Sequence, residues 1–549
     1  MSSKGGKQYS DIEEMTAVEY IRELAVGAYM LALFVVLPLI LKDKYRMLGT
    51  FKYEVFRWIS MTGLGIILLT EVSVLVMSWK KKSHQRKNQR NNKASDKKLK
   101  IKMQDFWRRL SLTDRFVAGY GICVIISFLL SVDKAEALWG AAGWYMGLVS
   151  QLIFVVSYFV VSRWWSGGMR VWYAACGVAF VVFLLGVLHR FSVDPFGLYE
   201  GLSESTIKQY LSLLGQNTWY SSYMCTVFPL GLYLFWGTKE LWLRLAGGLF
   251  SAVGFASWVT QNSDSAYIAL TLMLLALFLF GFTSNVWMER FLEVLLLMLF
   301  SFVATGFLQD LFPEQAVLPE ALSLFFSRSI VMIIFFIIIC ICYILLLLGE
   351  KKGMEISAAA WVGRAVVILF AAAVLLGILF IILNSKGYLA EWFGYTNENN
   401  YLLFNGDWGN GRGKTWKYSA GLVKELPFYR KLFGVGPDCF AFYSYHNPVY
   451  EEQLLQMWGD STLTNAHCEW LNGLICYGLA GILCYIGIFV SAVVRFFKAG
   501  KKSPIFIAIV LCLVAYTGHN IFCYQQALCT PFVFVILGMG ERIWQFEAE

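Results

Sequence analysis

Apolar and polar residues along this chain segregate on the scale of whole helices. Fourteen largely apolar windows follow one another: Leu24 to Leu41, Phe56 to Trp79, Phe116 to Val132, Leu138 to Val161, Val171 to Leu188, Trp219 to Trp236, Leu241 to Val259, Ala266 to Phe282, Phe291 to Leu308, Ile330 to Leu348, Trp361 to Leu383, Glu469 to Val494, Ile505 to Ile521 and Ala527 to Met539. Most run to roughly 17 to 25 residues, the length a helix needs to cross a hydrocarbon core, and polar turns separate them. The pattern predicts an all-α polytopic membrane protein of about fourteen transmembrane helices.

Composition agrees with the pattern. Of 549 residues 58% are hydrophobic and only 15% charged, against roughly 25% charged in soluble domains, which excludes a soluble enzyme and a disordered chain. The net charge of +9 is local: Lys80 to Arg115 holds 14 Lys or Arg and three Asp, so the remainder is slightly acidic. One basic loop between apolar windows fits a cytoplasmic loop beside anionic headgroups, and no nucleic-acid partner is expected. Most of the twelve cysteines sit inside apolar windows as small hydrophobes, and none has metal-ligand spacing, so neither a disulfide framework nor a metal centre is expected. The first window lacks a small-residue cleavage site and reads as a retained anchor.

Placing the N-terminus inside puts nearly every basic cluster on one face of the membrane. The exception is the first external loop, with Lys42, Lys44, Arg46 and Lys52. The segments so ordered are a cytoplasmic N-terminus (1–23), eleven spans with a basic loop at 80–115 (24–383), a large external loop (384–467), and three spans with a cytoplasmic C-terminus (468–549). The loop from Asn384 to His467 is rich in Trp, Tyr, Phe and Gly, which marks it as folded.

Three windows carry candidate chemistry. Gly411-Arg412-Gly413-Lys414-Thr415-Trp416 sets a guanidinium between glycines, where a ligand can approach closely and two phosphate oxygens can be held in a fork; a surface cation on a solvated turn is the plain alternative. Asn465-Ala466-His467 precedes the twelfth window, and helical spacing puts Leu471, Leu474, Gly478 and Gly481 on one face of that helix. His467 thus stands at its outer mouth as a candidate general base, or as an interfacial His making an ordinary hydrogen bond. Ser263-Asp264-Ser265 forms a short external turn, where Asp264 is a candidate acid-base group or a simple helix cap. Glu71, within the second window, needs a partner, and His519 and Asn520 end the penultimate window on the external side.

In combination these windows resemble the O-antigen ligase and O-antigen polymerase superfamily of bacterial envelope proteins. The resemblance rests on Gly411-Arg412 with Trp416, on Gly434-Val435-Gly436 with Phe440, on Ala466-His467 with Gly478 and Gly481, and on Gly215-Gln216-Asn217-Thr218-Trp219. It implies metal-independent, inverting transfer from an undecaprenyl-diphosphate-linked oligosaccharide to an acceptor hydroxyl, at the outer face of the bacterial cytoplasmic membrane and without cofactor. In that scheme Arg412, with Arg190, Lys386 or Lys414, holds the diphosphate, His467 with Asp264 handles protons, and Trp416 and Asn217 contact glycan or acceptor. A polysaccharide flippase or a chain-length protein is the implied partner. Two positions depart from the family pattern: Asp264 stands where an Arg is usual, and Cys468 follows the His where Asn or Ser is usual. The competing readings are a transporter or flippase of an envelope precursor and a non-catalytic assembly protein. They differ from transfer in whether Arg412, His467 and Asp264 converge on one external cavity.

Overall fold

The computed structural model describes residues 17–87, 110–459 and 461–548, so most of the expected basic loop and of the N-terminal segment lies outside the described residues. The fold is helical almost throughout. Its only β-structure among the described residues is the antiparallel pair Tyr210–Leu211 with Gly215–Gln216. Nine described helices are long and apolar enough to cross a membrane: Val18–Leu39, Leu48–Val76, Leu112–Leu129, Arg170–His189, Leu241–Thr260, Asn285–Leu311, Ile330–Lys351, Ile356–Ser385 and Glu469–Ala499. Leu148–Trp164, Ser265–Gly281 and Ile505–His519 are shorter apolar helices, and the two remaining windows fold as Asn217–Trp236 and Thr530–Ala548.

Asn217–Trp236 is the axle of the bundle, packed between Arg170–His189, Leu241–Thr260 and Ile505–His519. Buried on nearly every side, it uses small hydroxyl residues that satisfy themselves: Ser221 and Thr226 donate to the carbonyls of Asn217 and Ser222, each at 2.8 Å. Its crossing with Leu241–Thr260 is reciprocal. Phe228 sits over Gly254 and Phe250 over Gly231, and the two rings stack at 5.9 Å. Small residues let the backbones approach, as packing between membrane helices requires.

The hairpin of Ile330–Lys351 and Ile356–Ser385 is the reverse case, with almost none of its residues buried and Ile, Leu and Phe outward. In water such a surface would drive aggregation; in a bilayer it is the face turned to acyl chains.

Three expectations change at the level of single residues. Leu138 to Val161 is not one helix: Lys134–Trp139 ends at Gly140, and a turn with positive φ at Gly140, Gly143 and Tyr145 leads into Leu148–Trp164. Glu469–Ala499 breaks at Gly478 (φ 68°, ψ −175°), so Leu471 and Leu474 do not share one continuous helix face with Gly481. Lys52, counted among external loop cations, is fully buried instead, donating to the carbonyls of Leu37 and Pro38 at 3.0 and 2.8 Å where the first helix ends. Lys44 of the same loop pairs with Glu200.

Candidate functional site at the mouth of the His467 helix

Arg412 enters its position through an unusual piece of backbone. Gly409, Asn410 and Gly411 take φ of 59°, 60° and 83°, a left-handed run that redirects the chain into the helix ending at Glu425. Only glycine, and asparagine at some cost, adopts this conformation readily. The half-buried guanidinium donates from Nε and Nη2 to the carbonyl of Phe522 (3.3 and 3.1 Å) and from Nη1 to that of Gly409 (2.8 Å). Among the described residues these bonds use three of its five N–H groups, leaving one on each Nη for an anion oxygen.

His467 also has left-handed backbone, φ 47°, a costly state for a residue with a side chain. Two amides hold it there: Asn465 Oδ1 accepts from the His467 N–H at 2.8 Å, and Asn472 Oδ1 from that of Ala466 at 3.2 Å. The imidazole meets the Tyr524 ring edge-on at 5.5 Å. Burial, with the nearby Arg412 charge, pulls its pKa down to about 4, so the ring is neutral at physiological pH.

The segment Asn520 to Cys529, between the last two helices, joins these residues. Phe522 takes the Arg412 bonds and stacks on Trp416 at 5.4 Å, and two residues later Tyr524 takes the edge contact with His467. Tyr524 in turn meets Trp144 at 4.5 Å. Trp144 lies in the Gly140 to Gly147 turn, which Asp438 ties down: Asp438 Oδ2 accepts from the N–H groups of Ala141 and Met146 at 2.8 and 2.9 Å. Full burial pushes the Asp438 carboxyl up to about 7, against the pull of those two donors.

The helix break at Gly478 belongs to the same construction. Where the helix ladder stops, the Ile475 and Cys476 carbonyls accept from the N–H groups of Val435 (3.0 Å) and Gly436 (3.3 Å), and Ser127 Oγ adds a 2.6 Å bond to Cys476. The Gly434-Val435-Gly436 turn thus lies against open helix backbone. At Gly434 a side chain would strike the Cys476 carbonyl, and at Gly478 the Leu432 carbonyl, so both positions require glycine.

Below His467 lies Glu469, a buried carboxylate that the sequence reading did not single out. It receives the hydroxyl of Tyr485, that of Tyr516 at 2.9 Å and the amide of Asn520, and makes no ion pair among the described residues. The neighbouring His519 is buried, with its ring nitrogens 3.0 Å from Asn520 Oδ1 and 3.1 Å from Ser221 Oγ. Asp438, Asn465, Glu469, Asn472, Tyr485 and Tyr524 share the lining of one small cavity, to which neither His467 nor Arg412 contributes. No periodicity marks Glu469 as special; its importance comes from partners 16 to 51 residues away.

The other candidates stand apart from this constellation. Arg190 is only 2% exposed and spends its guanidinium on the carbonyls of Thr260, Ile207 and Lys208, at 2.8 to 2.9 Å. Lys414 places Nζ 3.8 Å above the Trp458 ring and donates to the Met457 carbonyl. Asp264 makes no capping bond; its Oδ2 accepts from the Tyr401 hydroxyl at 2.7 Å, tying the short external turn to the long loop. Asn217 donates to the Asn262 carbonyl at 2.8 Å. Arg412, Trp416 and His467 therefore share contacts to the Phe522 to Tyr524 segment, whereas Asp264, Arg190, Lys414 and Asn217 have other partners. Glu71 has one too, in Arg22.

No curated protein matches the sequence. Residues 315–486 match the family model described as O-antigen ligase, a stretch that holds Arg412, the Gly434 turn, His467 and the Gly478 break. The chain thus carries a stretch similar to the O-antigen ligase family within a set of apolar helices long enough to cross a membrane several times.

Proposed function

We propose that this protein transfers a glycan from an undecaprenyl-diphosphate donor to an acceptor hydroxyl at the outer face of the cytoplasmic membrane, with inversion and without metal. One observation carries the reading: Arg412 and His467, distant in sequence, both contact the Phe522 to Tyr524 segment, with a free fork on the cation and a neutral imidazole beside it. In the transfer step the acceptor oxygen bonds to the anomeric carbon as the bond from that carbon to the diphosphate oxygen breaks. The electron pair leaves with the diphosphate and the acceptor proton passes to His467.

Negative charge grows on the leaving diphosphate along this path. The Arg412 fork therefore stabilises the transition state more than the bound donor. A ring that is neutral at pH 7 is free to accept the proton. Trp416, stacked on Phe522 next to the cation, offers a face for sugar. Asp264 and Asn217 act as positioning residues that fix the external turn.

The test is reconstitution in liposomes with undecaprenyl-diphosphate oligosaccharide and no nucleotide sugar, with products read by gel and mass. Longer lipid-linked chains identify a polymerase; product that needs a second acceptor identifies a ligase. Absence of product with every acceptor, or undiminished product from both Arg412→Gln and His467→Gln, overturns the reading.

A further inference from the structure

At the end of the Glu469–Ala499 segment opposite His467, three turns enclose a second cavity of about 240 Å³, whose lining includes Trp236, Lys239, Trp287, Arg290, Lys501 and Lys502. Four of its lining residues are basic and none is acidic. The turns come from different parts of the chain: the end of Asn217–Trp236, the start of Asn285–Leu311 and the connection from Ala499 to Ile505. The two helical pieces of Glu469–Ala499, joined at Gly478, separate this cavity from the site above.

Two buried donors in its lining have no hydrogen-bond acceptor among the described residues. Trp236 is 1% exposed, packed at 4.8 Å on Trp287, and its indole Nε1 has no hydrogen-bond acceptor among the described residues. Arg290 Nη1 has none either: its ion pair with Glu293 is long, at 3.9 Å, and the Glu293 carboxylate is hydrogen-bonded by Arg244 at 2.6 Å. Buried N–H groups are rarely left unmatched, because each forfeits its bonds to water. Two orphan donors of this kind, with Lys239, Lys501 and Lys502 exposed at the rim, ask for an acceptor that is also an anion. The start of a 27-residue helix at Val286 and Trp287 adds its positive end to the same space.

From these features we infer that the cavity binds a phosphate group, with Arg290 and Trp236 as inner donors and Lys239, Lys501 and Lys502 as the outer charge. The same chemistry is offered by the headgroup of an anionic lipid and by free phosphate, and the experiment separates the two. Purified full-length protein in phosphate-free detergent is titrated with dioleoyl phosphatidic acid, with dioleoylglycerol and with inorganic phosphate, and bound molecules are counted by native mass spectrometry. Phosphatidic acid should bind and dioleoylglycerol, which differs only in lacking the phosphate, should not. Competition by inorganic phosphate at millimolar concentration marks a soluble ligand, and its failure to compete marks a headgroup. Arg290→Gln, and separately Lys501→Gln with Lys502→Gln on the exposed rim, should weaken binding about tenfold or more, as expected for loss of a charge-assisted hydrogen bond. The same losses should appear when the two cavity variants are made on the Arg412→Gln background, which removes phosphate held at that fork from the count. Equal retention of dioleoylglycerol, no binding of either phosphate, or undiminished affinity in both cavity variants overturns the assignment.

Discussion

The carbonyl oxygen of Phe522 accepts from two nitrogens of Arg412, at 3.3 and 3.1 Å, so the cation of the long loop is clamped to the segment that follows His519. This clamp uses only part of the guanidinium and fixes the direction in which the rest points. Lysine can reproduce the charge but neither the clamp nor the fork.

Arg412→Lys and Arg412→Gln should therefore each lower the transfer rate by about a hundredfold or more, the scale for losing an electrostatic contact to a developing anion. The melting temperature should change little. Arg190→Gln should do the opposite, lowering melting temperature and yield by stranding the carbonyls of Thr260, Ile207 and Lys208. Initial rates and melting curves on the three variants separate the two cations.

His467→Gln should reduce transfer by about a hundredfold to ten-thousandfold while the protein still folds. The depressed imidazole pKa also has a sign. The ring stays neutral as pH falls through 6.5 and protonates only near 4, so the acid limb of the rate profile should lie near 4. A limb centred at 6.5 would show that another group is the base.

Asp438 gives a stability prediction of the opposite sense. Its carboxyl titrates at about 7 when folded, against 3.8 ordinarily, so the folded chain holds this proton more tightly. The associated stability is fully present below pH 3.8 and is lost as pH rises through 7. Asp438→Asn should flatten the fall in melting temperature between about pH 4 and 7. A slope identical to that of the parent protein would place the titrating group elsewhere.

Gly478→Ala should destabilise by about 1 to 3 kcal/mol or more, because the backbone there is one that only glycine adopts readily and the added carbon meets the Leu432 carbonyl. Gly27, with open space around it, is the control: Gly27→Ala should be neutral or stabilising by thermal melt.

Asp264→Asn should keep transfer within a few-fold of the parent rate, since an amide oxygen still accepts from Tyr401. A loss as large as that of His467→Gln would return Asp264 to the proton chemistry.

Helical architecture was legible in the sequence because each apolar window is long compared with any error in its ends. The breaks were not. Ala141, Trp144 and Met146 are as apolar as any helix residue, and only their pairing with Asp438, nearly three hundred residues on, makes them a turn. The candidate site was half legible. Arg412 and His467 stand out because they are charged or titratable among glycines and at a helix mouth, whereas Glu469 and Phe522 gain meaning only from what folds against them. Arg190 shows the converse error of reading charge as availability, since its cation serves three backbone carbonyls.

The interruption at Gly478 has a mechanical consequence. With the helix ladder cut there, Glu469 to Tyr477 is stapled to Val435 and Gly436 rather than riding on the rod below it. Tilting of Leu479 to Ala499 as the bilayer thins or thickens is then absorbed at the joint. The geometry around His467 should stay constant in membranes of different thickness, while the lower rod follows the lipid.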